Sequence, residues 1–138
     1  MIAIVDYGVG NLHSVAKALE RVGGDATVTS DPSVVADSNA VVLPGVGAFR
    51  DSMDSMSRSN LAGSVTGVIR SGKPFLGICL GLQMLFSVSE EFGLTQGMGL
   101  LPGRVVRFGP GLKVPHLGWN EVRIAKPGNP LFAGIPDR

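Results

Sequence analysis

The chain has 138 residues, of which 44% are hydrophobic and 17% charged, with twelve basic side chains against eleven acidic ones. This length and composition predict a single domain over residues 1–138 of a cytoplasmic protein. A formal net charge of +1 without any Lys or Arg cluster excludes nucleic acid and anionic membranes as binding partners. No apolar stretch is long enough to span a bilayer. Cys79 is the single cysteine, so it cannot form an internal disulfide or a multi-thiolate zinc site, which favours a chemical role.

Strand and helix patterns alternate through the first part of the chain. Residues 1–5 form a short apolar run that is typical of a buried strand. After Asn11 the apolar residues follow a helical spacing up to Gly23 and Gly24, which predicts an amphipathic helix with an Asn cap and a glycine terminator. Three further elements are predicted in turn: a strand at residues 26–29, a short helix opened by Asp31, and a strand at residues 40–43.

A third, longer helix is predicted over residues 51–70, where several apolar side chains share one face. Residues 74–78 then form the next buried strand. A helix is predicted to begin at or just after Cys79, with three apolar side chains on one side of it, Leu82, Leu85 and Phe86.

The later part of the chain is rich in Gly and Pro turns. Its β-rich pieces, residues 104–108 and 121–125, predict the antiparallel edge of a mixed sheet. The alternation as a whole predicts an α/β fold with a doubly wound mixed sheet, covered by helices on both faces. Ligands of such sheets bind beyond the carboxyl ends of the strands.

Cys79 lies in a G-x-C-x-G sequence where a strand passes into a helix, the setting of the nucleophile elbow of hydrolases with sulfur in place of oxygen. The elbow strains the nucleophile's backbone, its glycines allow strand and helix to approach closely, and the first helical amides favour a thiolate. The alternative is a buried cysteine that only fills space. Gln83 lies one helical turn further on, where it can reach a substrate above the sulfur, although an exposed helical Gln is an equal reading of that residue alone.

Two glycine-rich segments follow other strands at the same predicted edge. In residues 44–47, Pro-Gly-Val-Gly, the glycines can leave backbone N–H groups facing an oxyanion, although Pro-Gly is also an ordinary turn. Residues 6–11 resemble a dinucleotide fingerprint, but its third glycine would fall at His13, so NAD and FAD are not predicted. We expect the glycines of residues 6–11 to shape a loop beside Cys79 instead.

A thiol nucleophile needs a base, which is usually a histidine, and the sequence has two. His13 falls on the first helix, and His116 lies in a Gly- and Pro-rich loop. The loop of His116 could approach the edge of the sheet, but the pattern favours neither histidine as the base. Trp119, in the same loop as His116, is either a core plug or an anchor at a protein interface. The spacing alone leaves both questions open.

Five separated stretches carry a resemblance to a known family: IAIVDYGVGNLHSV, LPGVGAF, GKPFLGICLGLQMLF, LLPGRVVRF and KVPHLGWN, in this order between residues 2 and 120. The chain resembles the class I glutamine amidotransferases and, through DYGVGN together with PHLGWN, the glutaminase subunits of imidazole glycerol phosphate synthase in histidine biosynthesis. The resemblance implies the class I glutamine amidotransferase fold without its C-terminal part. It implies no metal and no organic cofactor.

The resemblance also implies the roles of the site residues. Cys79 would attack the side-chain amide of glutamine, form a glutamyl thioester and release ammonia, after which water frees glutamate. The backbone amides of Leu80 and Val46 would form the oxyanion hole, with the Val46 peptide flipping when a partner and its ligand bind. The positions that would hold the glutamine substrate are Gly47, Gln83 and Glu91.

In this family the ammonia passes to a (β/α)8 cyclase subunit. The residues that the resemblance places at this partner are Asn11, Pro115, His116, Gly118 and Trp119. The family's triad takes a His and a Glu from a later segment that these 138 residues do not contain. We therefore expect this form to be inactive or crippled as a glutaminase.

Two alternatives remain at this point. The first is a non-catalytic binding subunit that docks on the cyclase. The second is a stand-alone cysteine hydrolase, which would leave the PHLGWN segment unexplained. We also expect apolar surface or a sheet edge to be exposed where the later strands of the family would lie.

Overall fold

The computed structural model describes residues 1–111 and 113–136. The chain divides into two compact units, a larger one over Met1–Arg107 and a smaller one that begins at Phe108. Within the described residues, no helix has the length and the apolar character needed to cross a membrane.

The larger unit is built on a parallel four-stranded sheet. Its strands in chain order are β1 (Ile2–Val5), β2 (Ala26–Thr29), β3 (Ala40–Leu43) and β4 (Phe75–Gly77). Their spatial order is β2-β1-β3-β4, and all three pairings are parallel. Because β2 and β3 lie on opposite sides of β1, the order reverses there, which opens a crevice at the carboxyl ends of β1 and β3.

Helices on both sides of this sheet bury its apolar runs, as the doubly wound prediction requires. The helices are α1 (Leu12–Arg21), α2 (Pro32–Asp37), α3 (Phe49–Arg58) and α4 (Leu61–Arg70). Helix α1 packs on β1 and β2, whereas α2 and α4 pack on each other and on β1 and β3. Alternate strand residues enter the main core, among them Ala3, Val5, Val41 and Leu43.

The predicted ends of helix α1 are confirmed. The Asn11 side chain accepts a hydrogen bond from the Ser14 N–H at 3.2 Å, which caps the first turn. Gly23 has a φ of +80°, and the Gly24 N–H donates to the Leu19 carbonyl at 2.8 Å. A glycine in this left-handed conformation satisfies the last carbonyls and ends the helix.

The prediction of one helix over residues 51–70 is wrong. Helix α3 ends at Arg58 and α4 begins at Leu61, with Asn60 between them at a φ of +58°. Asn adopts the left-handed conformation more readily than other non-glycine residues, so the chain can turn sharply there. The apolar face that suggested the long helix belongs to α4 alone.

The helix after Cys79 is shorter than predicted. Helix α5 (Leu80–Gln83) spans a single turn, and Phe86 begins a strand, β5 (Phe86–Ser89), instead of continuing a helical face. Leu82 and Leu85 satisfy a helical spacing, but Phe86 alternates with Val88 along the strand. The three apolar residues that suggested one longer helix are therefore shared between two elements.

A second, smaller sheet replaces the predicted antiparallel edge of the main sheet. Strand β5 lies between β6 (Thr95–Gln96), to which it is antiparallel, and β7 (Leu101–Val105), to which it is parallel. Of the predicted piece at residues 104–108, only the first two residues are in a strand, and residues 121–125 form none. Polar and charged residues in these pieces form loops that alternation alone could not distinguish from strands.

Strand β4 has an exposed apolar face. Leu76 pairs with Val42 across the sheet, yet its exposed fraction is 43% against 4% for Val42. In the described part of the chain β4 is one of the two edge strands of its sheet, beside β3. Apolar surface is thus exposed on the strand that leads to Cys79.

Candidate active site

Three of the sequence motifs meet at one edge of the main sheet. Residues 6–11 follow β1, residues 44–47 follow β3, and Cys79 follows β4, at the carboxyl ends of parallel neighbours. Parallel pairing places such segments side by side, at the edge where ligands bind in open α/β sheets.

Cys79 has the geometry of a nucleophile elbow. Its φ of +54° and ψ of −115° lie outside the conformations that non-glycine residues ordinarily adopt. The Ile78 N–H donates to the Leu43 carbonyl at 2.9 Å, and the Gln83 N–H donates to the Cys79 carbonyl at 3.1 Å, so both sides of the turn are fixed. The thiol is exposed. The alternative of a buried, space-filling cysteine is therefore wrong.

The two glycines of the elbow permit a close approach of backbones. A Cβ on Gly77 would lie 2.8 Å from the Leu82 Cα, and a Cβ on Gly81 would overlap the Leu43 carbonyl group. Either side chain would push α5 away from the strand edge. The predicted packing role of these glycines is confirmed.

The loop of residues 44–47 packs against the start of α5. Gly45 is buried, and a Cβ there would lie 2.6 Å from the Tyr7 hydroxyl, 2.8 Å from the Gly81 nitrogen and 2.9 Å from the Leu80 Cβ. Leu80 is the first helical residue, so its N–H has no acceptor within the helix. Val46 is 53% exposed. Gly45, at the start of the loop, is therefore held tightly beside the Cys79 turn, whereas Val46 faces solvent.

Tyr7 is a site residue that the sequence analysis missed. Its hydroxyl donates to the Pro44 carbonyl at 3.0 Å, and its own carbonyl accepts a hydrogen bond from the Ser55 hydroxyl. The pKa of Tyr7 is raised to about 12, chiefly because the phenol is buried. A hydrogen bond with the Ser52 side chain lowers the pKa, and the electrostatic effect of Cys79 raises it further. The signal was available, since Tyr7 and Pro44 each lie just past the ends of adjacent parallel strands.

Glu91 binds the start of helix α3, two residues after the loop of residues 44–47. Its carboxylate accepts the Phe49 N–H at 2.7 Å, and its own N–H donates to the Ser89 hydroxyl at 3.1 Å. Phe49 opens helix α3, which has no cap from the side chain of Ala48. A carboxylate at that position stabilises the start of helix α3, which follows the loop of residues 44–47. Gln83, the last residue of α5, is half-buried.

The histidine of the larger unit is not joined to the candidate nucleophile. His13 is exposed on α1, and His116 is exposed in the smaller unit. No hydrogen bond links the His13 imidazole to Cys79 within the larger unit. The larger unit by itself therefore supplies no histidine base by direct contact.

The residues predicted to meet a partner are all exposed. Asn11 is in the larger unit, and the other four are in the smaller one: Pro115, His116, Gly118 and Trp119. The Trp119 side chain is fully exposed, so the alternative of a core plug is wrong. A large exposed aromatic of this kind is suited to an interface.

Comparison with known proteins gives the family of the chain. The family model described as "Glutamine amidotransferase class-I" matches residues 3–138. Imidazole glycerol phosphate synthase subunit HisH of Syntrophotalea carbinolica is 54% identical over 98% of this chain and 68% of its own length. The same subunit of Moorella thermoacetica is 54% identical over 98% of this chain and 64% of its own length, and that of Geobacter sulfurreducens is 51% identical over 99% and 68%.

A solved structure shows the fold independently. The crystal structure of a glutamine amidotransferase superposes with a TM-score of 0.68 at 20% identity, covering 83% of this chain and 60% of the other. The chain spans about two thirds of the length of the curated relatives, 64% to 68% in the three cases above.

Proposed function

Since this chain belongs to the glutamine amidotransferase class-I family and, within it, to the HisH subunits of imidazole glycerol phosphate synthase, we propose that it carries the nucleophile and the substrate-binding part of the glutaminase site whose ammonia serves a cyclase partner. The observation that supports this most is the strained, exposed Cys79 with the Gly45 loop clamped beside it. A strained nucleophile next to free backbone amides is an arrangement suited to acyl transfer.

The chemistry follows from the positions of these groups. The Cys79 thiolate attacks the side-chain carbonyl carbon of glutamine, and the carbonyl oxygen becomes an oxyanion. The N–H groups of Leu80 and Val46 are proposed to stabilise that oxyanion. The intermediate collapses by breaking the C–N bond, the nitrogen takes a proton and leaves as ammonia, and a thioester remains. Water then attacks the thioester and releases glutamate with regeneration of the thiol.

The residues proposed to hold glutamine surround the same loop. Gln83 lies one turn beyond Cys79, and Glu91 is already fixed against the end of the loop by the Phe49 N–H. A carboxylate that accepts one backbone N–H keeps further acceptor positions for the α-ammonium group of glutamine. Gly47, exposed at the loop tip, can offer backbone contacts.

A covalent capture experiment tests the proposed nucleophile and substrate together. A glutamine analogue with a chloroketone in place of its amide is expected to label Cys79 once, and excess glutamine is expected to slow the reaction. The matched control is the same chloroketone on a side chain one methylene shorter, which we expect to react at least about tenfold more slowly. Labelling that persists in Cys79→Ser, or equal rates for both analogues, would refute the proposal.

No hydrogen bond joins His13, the one histidine of the larger unit, to Cys79, and this supports a second candidate function. The leaving nitrogen needs a proton, and loss of one triad member typically costs several orders of magnitude in rate. We therefore propose that these 138 residues bind glutamine and are acylated slowly at best. A non-catalytic subunit that docks on the cyclase is the alternative.

Docking on a (β/α)8 cyclase is proposed to use the segment around Trp119. A central Trp at an interface typically contributes at least about 2 kcal/mol, so Trp119→Ala is expected to weaken the affinity about thirtyfold. Leu131→Ala, which removes another exposed apolar side chain of the smaller unit, is the control and should leave the affinity unchanged. Equal affinities of wild type and Trp119→Ala would remove Trp119 from the interface.

A further inference from the structure

We propose that Tyr7 is a positioning residue for the oxyanion loop, residues 44–47: its hydroxyl fixes the Pro44 carbonyl and so determines how Gly45 presents the following peptide to Cys79. This inference rests on the proposed function, because it assigns a role in forming the oxyanion hole.

Tyr7 is itself held in place from three directions. Its side chain is 3% exposed, its carbonyl accepts the Ser55 hydroxyl from helix α3, and its backbone continues directly from β1. Its hydroxyl then donates to Pro44 at 3.0 Å. The phenol therefore connects the main core to a loop that otherwise turns towards solvent.

The loop has little freedom left once Pro44 is held. Only the φ and ψ of Gly45 separate the fixed Pro44 carbonyl from the Val46 N–H, the proposed oxyanion donor. Gly45 is closely packed against the Tyr7 hydroxyl, Leu80 and Gly81, since a Cβ there would be within 2.9 Å of an atom of each. Without the Tyr7 hydroxyl, Gly45 loses one of its three close contacts, and the Pro44 carbonyl loses its hydrogen bond.

Two electrophiles distinguish positioning from a general structural role. With a glutamine chloroketone, the Cys79 thiolate adds to the carbonyl carbon to give a tetrahedral adduct with an oxyanion; the sulfur then moves to the adjacent carbon, chloride leaves and the carbonyl re-forms. Iodoacetamide loses iodide by direct displacement at carbon and forms no oxyanion. Tyr7→Phe keeps the ring and loses the hydroxyl. We expect it to lower the maximal rate of chloroketone capture about tenfold, with the half-saturating concentration and the iodoacetamide rate at Cys79 unchanged.

Ser38→Ala provides the matched control. The buried Ser38 hydroxyl donates to the Val35 carbonyl at 2.8 Å, and Ser38 precedes β3 at its amino end, away from the oxyanion loop. This variant also loses one buried hydroxyl-to-carbonyl hydrogen bond, so its stability falls by a similar mechanism. Both labelling rates should stay at the wild-type value in Ser38→Ala.

A second measurement decides the question without glutamine chemistry. The backbone 15N order parameter of Gly45 is expected near the rigid value of about 0.85 in wild type and Ser38→Ala, and below about 0.6 in Tyr7→Phe. If wild type is not captured by the glutamine analogue, the proposed function fails, and the order parameters still test Tyr7. A rigid Gly45 in folded Tyr7→Phe, or an equal fall of both labelling rates, would overturn the proposal.

Discussion

At the scale of single residues, the region around Cys79 depends on side chains that perform no chemistry. Glu91 fixes the start of α3, Tyr7 fixes Pro44, and Gly45 and Gly81 allow backbones to touch. An exposed thiol is by itself an ordinary feature. It becomes a candidate nucleophile because these contacts hold its backbone in a conformation that it would not adopt alone.

The titration of Tyr7 is directly measurable because it is the one tyrosine in the sequence. Burial raises its pKa to about 12 in the folded chain. We expect the tyrosinate absorbance to appear with a midpoint near that value after a rapid pH jump, and near about 10 in denaturant. A folded-state midpoint close to that of the denatured chain would contradict the buried position of the phenol.

The same shift predicts how stability depends on pH. The folded chain favours the neutral phenol, so the contribution of Tyr7 is fully present below its unfolded pKa of about 10. It is lost as the pH rises through the folded pKa of about 12. The free energy of unfolding of the wild type should therefore decrease as the pH rises from about 10 to about 12. The decrease should be smaller in Tyr7→Phe, which has no phenol to titrate.

Gly45 should tolerate no side chain. In Gly45→Ala the new Cβ would meet three atoms at 2.6 to 2.9 Å, two of them in Leu80 and Gly81 at the start of α5. Relief of this overlap must separate the oxyanion loop from the elbow, so we expect a loss of about 1–3 kcal/mol in stability and slower chloroketone capture at Cys79. Denaturant unfolding and the labelling rate measure the two effects.

Gly67 supplies the comparison for Gly45. It lies inside α4 and is exposed, and a Cβ there would meet no atom within 4 Å. Gly67→Ala should raise the stability by about 0.5–1 kcal/mol through helix propensity. A Gly45→Ala variant that behaved like Gly67→Ala would show that the tight contact at Gly45 does not exist.

At the scale of elements, the sequence predicts those whose boundaries are set by local signals. The Asn11 cap and the Gly23 terminator define α1, and the apolar runs define β1 and β3. The predictions failed where a boundary depends on tertiary packing. Leu85 and Phe86 are adjacent, yet one ends the turn after α5 and the other starts a strand paired with β7.

The candidate site was predictable to a similar extent. The spacing of glycines around Cys79 is a local signal, and the structure has the elbow it predicts. The link from Tyr7 to Pro44 joins residues 37 positions apart, and that from Glu91 to Phe49 joins residues 42 positions apart. Such contacts follow from strand order and loop packing, which hydrophobic periodicity does not encode.

Asn11 combines a structural role with a proposed interface role, and substitution can separate them. Its side chain caps α1 through the Ser14 N–H. Asn11→Ala should lower the free energy of unfolding by about 1 kcal/mol, and Asn11→Ser should largely retain it, because Ser is also a good cap. If Asn11→Ser stays as stable as wild type but binds the cyclase more weakly, the interface role is separate from the cap. Unchanged stability in Asn11→Ala would contradict the capping hydrogen bond.

At the scale of the whole molecule, the Cys79 elbow lies at the end of β4, an edge strand of the described sheet. Leu76 of β4 and Leu82 of α5 remain 43% and 45% exposed on either side of the elbow. The curated relatives are longer, since this chain spans 64% to 68% of three of them. The described residues contain the candidate nucleophile Cys79, the loop that packs beside it at Gly45, and the exposed Trp119.

The most direct test of this account is the release of glutamate from glutamine by the 138-residue chain, alone and with a cyclase subunit and its ligand. Cys79→Ala provides the blank. We expect release equal to the blank in a folded sample that binds the cyclase and is still captured by the glutamine chloroketone. Glutamate release above the blank would contradict the account, because it would require that a base acts at Cys79 within these 138 residues.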